Sequence, residues 1–285
     1  MQKAKKISLI LITAFLLITI VISGCSSSPE DIVPDNQVEK PDDENDEAAA
    51  EENGEEPVAV ETETPLKLTC LGHSTFLIEN GTTLLMDPYK PNFGTYGKIG
   101  LTADIVAITH EHDDHNYYQG GRENAAVLRG LTAAGDWNQV DHQLEDLRIY
   151  TVNNTYHGRN LGKNSIFIIE TPHLRIAHLG DLGHTLEDRE KADIGKVDIL
   201  IIPVGGYYTM SPQEALEVIE QLSPSVIIPA HYRTTHNSRS PIGTLDDFLN
   251  LDIPYEVVSR GSTLQLTGKD MPQHTEIWTM DYKLP

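Results

Sequence analysis

From residue 66 onward the apolar residues come in short runs broken by charged or turn-forming positions, and few runs keep helical spacing. Runs of this length, rich in Val and Ile and closed by Gly, Pro, Asp or Asn, predict buried strands. They fall at 66–71, 75–79, 82–86, 104–109, 148–152, 165–170, 174–179, 198–203, 226–229, 255–258 and 262–266. Between them, patterns near the 3.6 period predict helices around 116–120, 187–194, 211–222 and 243–250. Ser211-Pro212-Gln213-Glu214 carries its own start signal, with Ser as N-cap, Pro at the first helical position and Glu placed to close a capping box. Two hairpin-like strands followed by strand–helix alternation predict an α/β four-layer αβ/βα sandwich, one domain over 65–285. A segment of about 220 residues buries a core without staples.

The first 64 residues read differently. Lys3, Lys5 and Lys6 precede an apolar-biased stretch from Ile7 to Ile22, which ends in Ile22-Ser23-Gly24-Cys25. This resembles a bacterial lipoprotein signal peptide over 1–24. The resemblance implies cleavage before Cys25, lipid on that cysteine, and a protein anchored to the cell membrane facing away from the cytoplasm. The stretch falls short of the ~20 residues that span a bilayer comfortably, which argues against a plain transmembrane anchor. Residues 25–64 hold fifteen Asp or Glu against the single Lys40 and no aromatic residue. Such a chain cannot build a core and predicts an extended acidic tether.

Setting aside the tether's −14 and the +3 of the leading lysines, the overall −22 leaves −11 on residues 65–285. A domain this acidic, without a basic stripe, is a poor nucleic-acid binder, so a small-molecule substrate is the expected partner. With Cys25 lipidated, Cys70 stands alone and reads as a buried apolar thiol.

Candidate chemistry concentrates at Thr109-His110-Glu111-His112-Asp113-Asp114-His115, directly after the strand-like Ile105-Val106-Ala107-Ile108. Alternate positions on an extended segment point the same way, which lets His110 and His112 grip one ion while Asp114 and His115 turn toward a second. Further ligand types follow strand-like runs in order: His157, Asp181 and His231.

This ordered set resembles the metallo-β-lactamase superfamily over nearly all of 65–285, most closely its lactonase-like branch, which includes L-ascorbate-6-phosphate lactonase. Leu71-Gly72-His73-Ser74, Met86-Asp87-Pro88, Gly162-Lys163-Asn164-Ser165-Ile166-Phe167, Ala177-His178-Leu179-Gly180-Asp181-Leu182-Gly183-His184, Pro203-Val204-Gly205-Gly206-Tyr207-Tyr208-Thr209-Met210 and Pro229-Ala230-His231-Tyr232 carry the likeness. It implies a metallo-β-lactamase fold with two divalent metal ions at one edge between two sheets. Zinc is the first choice, and ligand type leaves manganese and iron open. His110, His112 and His157 would hold one ion, Asp114, His115 and His231 the other, and Asp181 would bridge them. Two such ions share a hydroxide that attacks an ester, lactone, amide or phosphodiester, with Asp114 orienting it and taking its proton.

Other residues take lesser roles. The resemblance makes Asp87 the carboxylate that hydrogen-bonds a ligand imidazole and fixes its tautomer. His73 and His184 are expected to face the pocket, for substrate contact or proton transfer, and Tyr207 and Tyr208, after a Gly-Gly pair, to stand beside it as wall. Arg233 is a candidate contact for an anionic substrate. Glu111, Asp113, His142, His173, His178 and His236 read as structural or surface residues. A non-hydrolytic metal-binding or sensor lipoprotein on the same fold is the competing class. Redox di-iron relatives typically carry Glu where His112 stands, together with a flavin domain, and neither is present.

Overall fold

The computed structural model describes residues 64–284. The signal-peptide reading, Cys25 and the tether lie outside the described residues, apart from Thr64. The domain is built on two sheets. A six-stranded sheet contains β1 (Leu66–Gly72), β2 (Thr75–Asn80), β3 (Thr82–Met86), β4 (Ala103–Ile108), β5 (Gly121–Arg129) and β13 (Thr263–Leu266), in the order β13-β1-β2-β3-β4-β5. An eight-stranded sheet contains β6 (Asp141–Gln143), β7 (Arg148–Tyr156), β8 (Lys163–Glu170), β9 (Arg175–His178), β10 (Ile199–Pro203), β11 (Val226–Ala230), β12 (Glu256–Arg260) and β14 (Glu276–Met280). Its order is β12-β14-β11-β10-β9-β8-β7-β6.

Strand period two explains the layering. In β2 and β3, Phe76, Ile78, Leu84 and Met86 point inward, and they meet Phe167, Ile169, Ile199 and Ile201 of the other sheet in a shared core. The alternate positions Ile166, Ile168, Leu200 and Ile202 face the opposite side, under the helices α1 (Asp188–Ile194), α2 (Pro212–Leu222) and α3 (Leu245–Leu249). Buried on both faces, β10 and β11 have to read as continuous apolar runs rather than as alternation. In α2 the buried Ala215, Val218, Ile219 and Leu222 keep i, i+3, i+4, i+7 spacing. Its start is as the sequence reads. The Glu214 N–H donates to Ser211 Oγ at 3.2 Å, and the Ser211 N–H donates to Glu214 Oε2 at 2.7 Å.

Three features differ from the sequence reading. The outer face of the six-stranded sheet is closed by an irregular segment carrying Tyr89, Tyr96 and Ile99 rather than by helices. The expected helix near 116–120 is one 3₁₀ turn, Tyr118–Gly120. Strands β5, β6 and β14 were not expected. β5 is largely polar and partly exposed, so it lacks the apolar run that marks its neighbours.

The site follows from the topology. β3, β4 and β5 are parallel, as are β9, β10, β11, β14 and β12, so many chain turns leave the carboxyl ends of strands on one edge of the sandwich.

Candidate metal centre

Six chain segments deliver the site. The turn between β1 and β2 brings His73, the end of β3 Asp87, and the end of β4 the His110–His115 run. His157 follows β7, Asp181 follows β9 and His231 follows β11. Local backbone is bent to do this. His73, Asp87 and His231 take φ of 55°, 41° and 51°, a left-handed region that side chains other than glycine rarely occupy, and such outliers gather at functional sites. Gly180, at φ 56°, has no alternative, because a Cβ there would lie 2.5 Å from Asn164 Oδ1 and 2.7 Å from Thr109 Oγ1. Gly205 lets the chain after β10 press on the β11 turn, where a Cβ would meet the His231 carbonyl at 2.2 Å.

The ligand-type atoms fall into two groups, each within 4.8 Å throughout: His110, His112, His157 and Asp181 in one, His73, Asp114, His115 and His231 in the other. Asp181 touches both. Its Oδ2 lies 2.9 Å from His157 Nε2 and 3.2 Å from His231 Nε2, and its Oδ1 lies 3.2 Å from His115 Nε2. Asp114 Oδ2 stands 3.2 Å from His73 Nε2 and 3.7 Å from His115 Nε2. All seven residues expected to hold metal therefore meet, and His73 joins them.

Surrounding bonds fix which nitrogen faces inward. Asp87 accepts from the Thr109 N–H at 2.8 Å and from its hydroxyl at 2.7 Å, and from His115 Nδ1 at 2.9 Å. With its proton given to Asp87, Thr109 Oγ1 accepts from His110 Nδ1 at 3.0 Å. His157 Nδ1 donates to the Gly158 carbonyl at 3.0 Å. His110, His115 and His157 thus each turn Nε2 toward the site. Thr109 and Asn164 stand within the motifs read from sequence, which gave neither a role. Asn164 holds the Asp181 N–H through Oδ1 and the Leu179 carbonyl through Nδ2, long-range contacts that its motif alone does not show.

Charge tells the same story. Burial would raise the Asp181 carboxyl, but His115 and His231 hold it well below the ordinary range. Burial likewise opposes ionisation of Asp114 and Asp87, and the charge of His115 overcomes it in both. Conversely, burial works against the His115 and His231 cations, yet Asp181 and its neighbours push His115 well above its usual value and His231 up to about 9. Burial and His115 together drive His110 well below its usual value. Two buried carboxylates, Asp87 and Asp181, and the half-buried Asp114 therefore demand positive charge at this spot. His115 Nε2, Asp181 Oδ1 and both nitrogens of His231 are buried without a hydrogen bond. Buried donor atoms that converge unpaired, from imidazole and carboxylate only, fit divalent cations of the borderline kind.

The centre opens on a cleft of about 910 Å³. Its apolar wall includes Phe93, Leu161 and Tyr208, and its polar wall the loop 235–241 with His236 and Arg239. Three expectations are corrected here. Tyr208, not Tyr207, lines the cleft. Tyr207 takes φ 60° and is 46 % exposed, with the Arg159 guanidinium 4.4 Å over its ring. A left-handed residue breaks the alternation by which side-chain direction is read, so sequence cannot separate the pair. His184 lies in a neighbouring cleft, where Nε2 accepts from the Tyr156 N–H at 3.1 Å and Nδ1 donates to the Thr185 carbonyl at 2.8 Å. Both nitrogens are committed to backbone, which leaves none for substrate. Arg239 takes the cleft position considered for Arg233, and His236, read as structural or surface, is part of the same wall. Cys70 is the buried thiol expected, and burial pushes it up to about 12.

Comparison with known proteins agrees with this architecture. Residues 67–231 match the family described as the β-lactamase superfamily domain. A UPF0173 metal-dependent hydrolase of Carboxydothermus hydrogenoformans is 28 % identical over 207 residues, covering 64 % of this chain and 91 % of that protein. Its counterpart in Thermococcus onnurineus is 30 % identical over 194 residues, covering 59 % and 85 %. The crystal structure of a protein described as a Zn-dependent hydrolase from Thermotoga maritima is 32 % identical and superposes with a TM-score of 0.58, covering 76 % of this chain and all of that one. The two-sheet sandwich, its edge cluster and these relatives place the chain in the metallo-β-lactamase superfamily, among the UPF0173 metal-dependent hydrolases.

Proposed function

We propose that the chain binds two divalent ions, zinc first among them, and hydrolyses a small ester, lactone, amide or phosphodiester in the cleft of about 910 Å³. The observation that carries this is Asp181, whose two oxygens face imidazoles of both ligand groups. Two ions held there would bring a shared water's pKa toward ~7 and polarise the oxygen of the bond under attack. The protein's own part is positioning. Asp114 has its side chain 25 % exposed to the cleft, so it can orient the attacking water and accept its proton. Phe93, Leu161 and Tyr208 form the apolar wall, and Arg239 lines the polar one. Activity on a panel of these four bond types should vanish with chelator and return with Zn or Mn. A fully metal-loaded protein that turns over none of the panel, yet binds a small ligand at the cleft, would make it a sensor or binding protein instead.

We further propose that Cys25 carries lipid and tethers the domain to the outer face of the cell membrane through the acidic segment 26–64. Two or three acyl chains anchor stably where one does not. No helix among the described residues is long and apolar enough to cross a membrane. Cys25→Ser should abolish labelling by radioactive fatty acid, and wild-type protein that takes up no label would refute the tether.

A further inference from the structure

Large apolar side chains left exposed are unevenly spread over the described residues. Three of the seven, Tyr156, Leu161 and Tyr207, gather about the turn 157–162, at 49 %, 45 % and 46 % exposure, with Arg159 of that turn lying over the Tyr207 ring. The turn divides two clefts. Leu161 lines the metal cleft, Arg159 and Asn160 line a second cleft of about 760 Å³, and His157 borders both. We infer that the second cleft binds a neutral oligosaccharide, which continues over the turn into the metal cleft, where the bond cut is an acyl substituent of the sugar chain. This rests on the hydrolase reading above and names the carrier of its scissile bond.

The surface between the clefts is held in shape by the protein itself. The His157 N–H donates to the Gly162 carbonyl at 3.0 Å and the Leu161 N–H to the Gly158 carbonyl at 3.2 Å, which closes the turn. Gly158 packs so tightly that a Cβ there would lie 2.1 Å from the Tyr208 carbonyl. The Tyr156 ring is set by Trp137, which meets it at 5.1 Å in an edge-on contact, and by the His184 ring at 6.1 Å. A ring fixed in this way and still half exposed offers a flat apolar face at little cost in conformational entropy. Exposed apolar groups gathered at the mouth of a polar cleft mark a binding surface.

The lining of the second cleft sets the ligand's chemistry. Arg159 and Arg189 face it against Glu187 and Glu190, so the formal charges cancel and a neutral ligand is favoured. Asn154 and Asn160 line it as well, and neither amide has a hydrogen bond to another described residue. Planar amide, guanidinium and carboxylate groups beside a ring face suit a molecule whose rim is all hydroxyls and whose flat face is apolar, which is a sugar. A peptide lacks the edge it would need. The Tyr156 N–H already donates to His184 Nε2 at 3.1 Å, the Tyr156 carbonyl accepts from the Gly183 N–H at 2.8 Å, and the Thr155 carbonyl accepts from Trp137 Nε1 at 3.1 Å, so no open ladder remains for an added strand. Each cleft by itself has the size of a small-molecule site, so a ligand touching both has to be a chain. Esters and amides occur on a sugar chain as acyl substituents. Water adds there and breaks the acyl–oxygen or acyl–nitrogen bond, releasing a carboxylic acid and leaving a hydroxyl or an amine on the sugar.

Titration calorimetry on full-length protein stripped of metal tests this without turnover. The probes are neutral tetramers of N-acetylglucosamine, glucose and xylose, their monomers, and a tetra-alanine blocked at both ends. At least one sugar tetramer should bind about tenfold or more tightly than its monomer, the scale of one stacked ring with its polar contacts, and the peptide should not bind. Tyr156→Ala and Arg159→Gly should each remove that advantage. Glycine suits the left-handed backbone at Arg159, φ 57°, and circular dichroism checks that both variants fold. Loaded with metal, wild type should release acetate from the acetylated form of the tetramer it binds. Tetramers that bind no better than monomers, an advantage that survives both substitutions, or peptide bound in place of sugar would overturn the inference. So would a protein that cleaves small esters yet leaves the acetylated tetramer intact, and in each of these cases the hydrolase reading stands on its own substrates. Tetramer binding that depends on Tyr156, in metal-loaded protein that cleaves none of the proposed bond types, would keep the sugar site and overturn the hydrolase reading.

Discussion

In the metal-free protein the proposed second position is occupied by protonated imidazoles. Burial alone would strip His231 of its proton, but Asp181 and Asp114 hold it and raise its pKa to about 9, and His115 is raised well above 6.5 by Asp181, Asp114 and Asp87. A cation must displace both protons, since only neutral imidazole binds metal. Between pH 6.5 and 9 the His231 proton alone makes binding about tenfold tighter per pH unit, and the proton held on His115 steepens the climb further. Burial lowers His110 and His112 instead, so those two imidazoles have no held proton to release near pH 8. The second ion's affinity should therefore climb with pH much more steeply than the first's. Stability of the metal-free protein should move the other way. A raised pKa contributes fully below 6.5, and the contribution is lost as pH rises toward 9, about 3 kcal/mol for His231 alone. Competition against a chromophoric chelator from pH 6 to 9, at constant ionic strength, measures the two affinities, and melting of the stripped protein measures the stability. Equal pH slopes for both ions, or a stripped protein that gains stability between pH 6.5 and 9, would refute this reasoning.

Asp87→Asn keeps the shape but removes the charge that accepts from Thr109 and His115. It should weaken metal binding by about 10–100-fold, the usual loss when a group orienting a ligand is removed, as read by chelator competition. Cys70 is buried, and its thiol, pushed up to about 12, stays protonated. It should resist thiol reagents at pH 8 in the native protein and react once denatured, as followed by mass spectrometry.

The sequence and the structure agree most closely where chemistry and strand pattern coincide. The strands that carry the centre are buried on both faces or alternate cleanly, and each ligand comes just after a run's end, so the order of His110, His112, Asp114, His115, His157, Asp181 and His231 is visible in one dimension. Long-range geometry is less visible. His184 sits three residues after Asp181, yet the turn at Gly183 packs against Gly158 and carries the imidazole to the other side of the His157 segment. Strand β14 is a short run near the chain's end that acquires its burial only by pairing between β11 and β12. The loop 235–241 has the polar composition of any surface loop, and only its bonds reveal a built wall: Asn237 Oδ1 accepts from the Thr234 N–H at 2.6 Å, and the His236 carbonyl accepts from Thr95 N at 2.8 Å.

The central claim is that Asp181 joins two metal positions. Elemental analysis of wild type, Asp181→Ala and His112→Ala after identical dialysis tests it most directly. Wild type should hold two ions per chain, His112→Ala should keep mainly the second, and Asp181→Ala should lose from both. An Asp181→Ala protein with unchanged stoichiometry would contradict the account and reduce Asp181 to a residue at the end of β9.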